Sequence, residues 1–126
     1  MPRRDGFHTV TPYLTTKDVD VLVRFAKRVF GATETQRVEM GPGHYHVEVR
    51  IGDSMVMIGG GSDATPVTGM LLLYVDDVDA THARAVEAGA TSVAEPMDAP
   101  DGERRGGVRD PFGNLWYMGG PTRTKH

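Results

Sequence analysis

His44, His46 and Glu48 are the residues whose types and spacing could do chemistry. They stand at i, i+2 and i+4, so on an extended strand all three project from one face. An imidazole or a carboxylate can move a proton, which makes His46 or Glu48 a candidate acid/base. Two imidazoles at this spacing also form a workable metal chelate. Converging all three is harder, because the outer two lie about 13–14 Å apart at the rise of a strand. The plainer alternative is a polar, partly solvated sheet face. The chain has no Cys, which removes thiolate metal sites, cysteine nucleophiles and disulfides and fits a reducing cytoplasm.

These three residues need a strand to hold them, and the local pattern supplies one. Tyr45, Val47, Val49 and Ile51 alternate with His44, His46, Glu48 and Arg50, and Gly52-Asp53 then turns the chain into Met55–Ile58. This is the signature of a hairpin. If the turn has two residues, Glu48 lies opposite Met57 and shares its face.

The chain also repeats itself. Asp18-Val19-Asp20 recurs as Asp77-Val78-Asp79, and Gly31-Ala32-Thr33 recurs as Gly89-Ala90-Thr91. Between these signals Val19, Leu22, Val23, Ala26 and Phe30 keep helical spacing, as do Val78, Thr81, Ala85 and Ala88. Asp18 and Asp77 suit N-caps, and Gly31 and Gly89 suit the positive-φ position after a helix. β-like runs precede the helices, His8 to Thr16 and Met70 to Val75. In the second copy Thr91–Glu95, Gly106–Arg109 and Leu115–Met118 are strand candidates, with Asp110 to Asn114 a turn. Each half therefore reads β-α-β-β-β, joined by a Gly-rich connector from Gly59 to Gly69. The expected fold is α+β, one domain over residues 1–126, with modules at about 8–60 and about 69–119.

Composition narrows the function further. The 126 residues carry a net charge of −3, against the basic excess of a nucleic-acid binder. The only basic cluster is Arg104, Arg105 and Arg109, a solvated edge or a contact for an acidic ligand. The longest apolar run, Met70–Val75, is far below the ~20 residues of a membrane span. No apolar stretch follows Arg3 and Arg4, so no secretory signal is expected. Gly59-Gly60-Gly61 lacks the Lys-Ser/Thr pair of a phosphate loop. His8, His82 and His126 read as surface residues.

The duplicated βαβββ plan, the Asp-Val-Asp helix openings, Phe30-Gly31-Ala32, and Asp110-Pro111-Phe112-Gly113-Asn114-Leu115-Trp116 together resemble the glyoxalase/bleomycin-resistance/extradiol-dioxygenase proteins, the vicinal oxygen chelate superfamily. The resemblance runs from about His8 to Gly119, closest to the small members. It implies curled mixed sheets around an open cavity, with modules paired within a chain or across a homodimer. Metal-dependent members hold a divalent ion through His or Gln, Glu, His and Glu, one per strand. The matching positions here are Thr11, Met57, Met70 and Tyr117, a poor set for a hard metal. The resemblance therefore implies no metal and no cofactor.

On the same parity the cavity receives Tyr13, His44, His46, Glu48, Met57, Met70, Tyr74 and Tyr117 as ligand-binding candidates, along with Thr11, Met55, Leu72 and Leu115. Aromatic rings, thioethers and a few hydroxyls suit a flat or partly apolar organic molecule. Such side chains also commonly fill a small cavity by themselves. Trp116, on the opposite parity, is expected beneath the helices. Two functions follow. One is a cytoplasmic, homodimeric protein that binds or sequesters a small organic molecule, with no nucleic-acid or membrane partner. The other is a lyase, isomerase or dioxygenase of the same superfamily, using an atypical metal site or His46 or Glu48 as acid/base.

Overall fold

Burial of two amphipathic helices on two small sheets sets the architecture. The computed structural model describes residues 6–122; Arg3, Arg4 and His126 lie outside the described residues. The order is β1 (Tyr13–Thr16), α1 (Val19–Phe30), β2 (Thr33–Gly41), β3 (His44–Ile51), β4 (Ser54–Gly60), β5 (Met70–Tyr74), α2 (Val78–Glu87), β6 (Thr91–Asp98), β7 (Arg104–Arg109) and β8 (Leu115–Gly120). The chain divides into two compact units, at Thr68 and Gly69.

In the first unit the sheet runs β1-β4-β3-β2, with β1 parallel to β4 and the other pairs antiparallel. α1 opens on Asp18, whose carboxylate accepts from the Val21 amide at 3.2 Å, and closes on Gly31 at φ 68°. Its Val19, Leu22, Val23, Ala26 and Val29 are buried, as are Leu14, Val47, Val49, Val56 and Ile58 of the sheet. The β3–β4 hairpin turns at Gly52-Asp53, where Gly52 takes the positive φ of 59° that a two-residue turn demands. As the alternation predicts, Glu48 pairs with Met57.

The second unit has the sheet β5-β8-β7-β6, again with one parallel pair, β5 with β8. α2 opens on Asp77, which accepts from the Ala80 amide at 3.0 Å, and Gly89 follows it at φ 109°. Trp116, Met118 and Val108 are fully buried on the helix-facing side with Val78 and Ala85. The anticipated place of Trp116 is correct.

Three expectations need correction. The strand expected from His8 begins only at Tyr13, so Thr11 precedes it. The connector starts later, because Gly59 and Gly60 complete β4. His82 is not a surface residue: it is buried on α2, with Nε2 2.9 Å from the Ser92 hydroxyl. Among the described residues no helix is long and apolar enough to cross a membrane, which says nothing of strands.

Candidate functional site

Each sheet has one face covered by the helix of its own unit and one that helix leaves open. Strand pairing assigns residues to the faces. In the first unit Tyr13, Met57, Glu48 and Gln36 form one row across β1, β4, β3 and β2. The next row is Thr15, Gly59, His46 and Val38. Both rows alternate with the buried residues under α1, so they occupy the open face.

Side chains in these rows join into one hydrogen-bonded chain. Glu48 is only 3% exposed, and its Oε2 lies 2.9 Å from His46 Nε2. His46 Nδ1 lies 2.9 Å from the hydroxyl of Tyr13, whose ring tilts at 40° to the imidazole with centroids 5.4 Å apart. Tyr13 is on β1 and His46 on β3, with β4 between, and two strand spacings are about 9.4–9.8 Å. The reach is possible because the β4 residue in the gap is Gly59. A Cβ there would stand 2.6 Å from the Tyr13 oxygen. Gly59 therefore belongs to the site. A glycine inside a strand is the sequence signal for such a close approach.

His44 goes elsewhere. Its Nε2 pairs with Asp63 at 2.6 Å, so the i, i+2, i+4 triplet is divided in its hydrogen bonding. Among the described residues no group of three or more His, Asp or Glu side chains could hold a metal ion. Arg50, paired with Met55, continues the open face two residues beyond Glu48.

In the second unit the open face carries Met70, Leu72 and Tyr74 of β5, paired with Leu115, Tyr117 and Gly119 of β8. Met70 is 66% exposed, Leu72 47% and Tyr74 70%. Tyr117 lies across Gly107, where a Cβ would meet its ring at 2.6 Å. Tyr74 lies across Gly119, with Arg105 on the far side. Tyrosine laid over a strand glycine thus recurs in both units; sequence parity alone points to the tyrosines and not to the glycines beneath them.

The arginine cluster is largely spent on ion pairs. Arg104 grips Asp79 in a fork at 2.6 and 3.0 Å and reaches Asp98 at 3.1 Å, which raises its pKa, Asp79 contributing most. Arg105 pairs with Glu103 and Asp101. Arg109 stays exposed, in register with Leu115. In the first unit Arg37 makes a fork on Glu34, 3.0 Å for each arm, and Lys27 approaches at 3.6 Å. The Arg37 hydrogen bond is the main cause holding the Glu34 carboxyl below its ordinary value, against the opposing effect of burial.

The Asp110–Asn114 segment is structural. The buried Asp110 carboxylate accepts from the amides of Phe112 (2.8 Å) and Asn114 (3.1 Å), from Asn114 Nδ2 (2.9 Å) and from Trp116 Nε1 (2.8 Å). Asn114 Oδ1 accepts in turn from the Gly69 amide at 2.9 Å, tying down the start of β5. The turn residues were legible in sequence, but this buried network was not.

At the four positions matched to a family metal set, the residues do not fit the ion. Thr11 lies outside β1, Met57 and Met70 offer only thioethers, and Tyr117 is a phenol packed on Gly107. Hard divalent ions prefer carboxylate, carbonyl and imidazole donors.

The model of the Glyoxalase/Bleomycin resistance protein/Dioxygenase superfamily matches residues 6–118. An uncharacterized Mycobacterium bovis protein, Mb0911c, is 37% identical over 129 residues, covering 90% of this chain and 84% of its own length. Among solved structures, TioX from Micromonospora sp. ML1 superposes with TM-score 0.74 at 27% identity, covering 90% of this chain and 98% of that one. Lactoylglutathione lyase from Agrobacterium tumefaciens gives TM-score 0.68 at 22% identity, covering 90% and 92%. At that identity the likeness concerns the fold alone.

Proposed function

Because the chain belongs to the glyoxalase/bleomycin resistance protein/dioxygenase superfamily, we propose that it binds a small, partly apolar organic molecule on its open sheet faces, without a metal. The single observation that carries this reading is the contrast between the two faces. Helix-covered faces are packed to completion, whereas the open ones hold half-exposed Tyr13 and exposed Met70, Leu72 and Tyr74. Such side chains are costly to leave in water and suit a flat ligand. The candidate contacts are Tyr13, His44, His46, Glu48 and Met57 on the open face of the first unit, and Met70, Tyr74 and Tyr117 on that of the second.

The same reading includes a homodimer, in which a second copy covers apolar surface that the helix of each unit leaves open. It also includes a cytoplasmic location, supported by the absence of cysteine.

A thermal-shift screen of aromatic and partly apolar compounds, run in EDTA, tests the proposal. At least one compound should raise the melting temperature, and Tyr117→Ala or Met57→Ala should reduce that shift. Stoichiometric metal retained through purification, with binding lost on chelation and restored on adding the metal back, would overturn the metal-free part. A screen with no stabilising compound would overturn the binding part.

A further inference from the structure

Glu48, His46 and Tyr13 have the connectivity of an acid–base relay that ends at a half-exposed tyrosine. A buried carboxylate accepting from His46 Nε2 fixes the imidazole as its Nε2–H tautomer, leaving a lone pair on Nδ1. The Tyr13 hydroxyl then donates into that lone pair across 2.9 Å. This is the nucleophile–base–orienter arrangement, with a phenol in the first place. We propose that Tyr13 is a metal-independent general base, which His46 and Glu48 activate for proton abstraction from a small phenol or enol. The proposal rests on the reading that this face binds a small molecule.

The proton bookkeeping closes without a further reactant. The Tyr13 O–H bond breaks and its proton passes to His46 Nδ1, giving an imidazolium beside the Glu48 carboxylate. That pair is poorly screened because Glu48 is buried. The tyrosinate oxygen takes the hydroxyl proton of the ligand, which becomes an oxyanion, and the reverse sequence returns it. The second transfer runs between two hydroxyl oxygens, and a phenol or enol suits it because its conjugate base is a delocalised oxyanion. The Met57 thioether, paired with Tyr13, offers the ring an apolar contact. Arg50 lies on the same face two residues beyond Glu48, in register with Met55 and away from the Tyr13 hydroxyl. Among the described residues of the neighbouring strands, β4 presents Met55, Met57 and Gly59 on this face, and β2 presents Gln36 and Val38. His44 is engaged with Asp63.

The test needs no knowledge of the ligand. Benzenesulfonyl fluoride sulfonylates phenol oxygens with loss of fluoride, and a base that takes the phenol proton accelerates it. Labelling of the full chain is followed tyrosine by tyrosine through peptide mass spectrometry. Labelling is run at a dilution that gives the monomer, in which Tyr13 is 49% exposed and Tyr74 70%, so accessibility alone makes Tyr74 the faster site. The relay predicts the opposite order, Tyr13 ahead by at least about tenfold, a modest share of what general-base catalysis supplies. His46→Gln and Glu48→Gln should each abolish that preference while leaving Tyr74 labelling unchanged, and a circular dichroism spectrum matching the parent reports that each variant is folded. Gly59→Ala should act likewise, by displacing the Tyr13 oxygen without touching either partner.

Tyr13 labelled no faster than Tyr74, or a preference that survives both His46→Gln and Gly59→Ala, would overturn the relay. Because no ligand is used, that failure leaves ligand binding in the thermal-shift screen untouched. A failed screen with intact Tyr13 selectivity would instead locate the error in the binding reading.

Discussion

Replacing Asp110 by Asn changes one buried atom and should cost this protein much of its stability. The Asp110 carboxylate satisfies four donors, two at each oxygen. Asparagine keeps one oxygen, so in either amide orientation two donors face an NH2 group. A buried donor left without an acceptor costs about 1–3 kcal/mol, giving about 2–6 kcal/mol for the pair. Total stability for a domain is about 5–15 kcal/mol. At about 3–5 °C per kcal/mol for a chain of this size, a central loss of about 4 kcal/mol lowers the melting temperature by roughly 12–20 °C. Trp116 is the only tryptophan in the chain and donates to this same carboxylate. Its fluorescence therefore follows both the local network and the global transition during urea and thermal unfolding. Asp76→Asn, at an exposed site, is the control and should stay within about 0.5 kcal/mol of the parent. An Asp110→Asn loss below about 1 kcal/mol would refute the idea that this turn is held by its buried hydrogen bonds.

Two further outcomes follow from the ion pairs and the open faces. Glu34 titrates below its ordinary value in the folded chain, mainly through Arg37. Its contribution is thus present above the unfolded value near 4.5 and lost as pH falls through the lower folded value. The stability gap between the parent and Arg37→Met, measured by urea unfolding, should be full at neutral pH and shrink on acidification; a constant gap would contradict this. For the homodimer, light scattering at micromolar concentration should give twice the 13.7 kDa chain mass, with an interface above about 1,000 Å² in total. The double change Leu72→Glu with Tyr74→Glu should return the monomer, and a monomeric parent would remove the dimer from the reading.

Much of the fold was legible because it is written in local signals. Asp18 and Asp77 cap helices through contacts three residues away, and Gly31, Gly52 and Gly89 take positive φ within their own turns. Alternation along β3, with a two-residue turn, fixed the Glu48–Met57 pairing without any long-range knowledge. The β-α-β-β-β plan calls for a strand after α1, but no local pattern gives the bounds of β2, because it is an edge strand: Thr33–Gly41 is exposed along nearly all its length and shows no apolar alternation. Its strand conformation comes from pairing with β3, which a tertiary neighbour supplies and no short window contains.

The site divides along the same line. Sequence by itself determined that His46 and Glu48 share a face, because a strand has period two. It also determined that Met57 stands opposite, and that the four matched positions lack metal-binding chemistry. Only the tertiary structure decided that His44 turns to Asp63 while His46 joins Tyr13, 33 residues away. That link depends on the order β1-β4-β3, which leaves one strand between the two side chains, and on Gly59, which keeps the space above that strand empty. Strand order and the missing side chain are properties of residues brought together from distant parts of the chain, so the pattern of any one segment cannot express them.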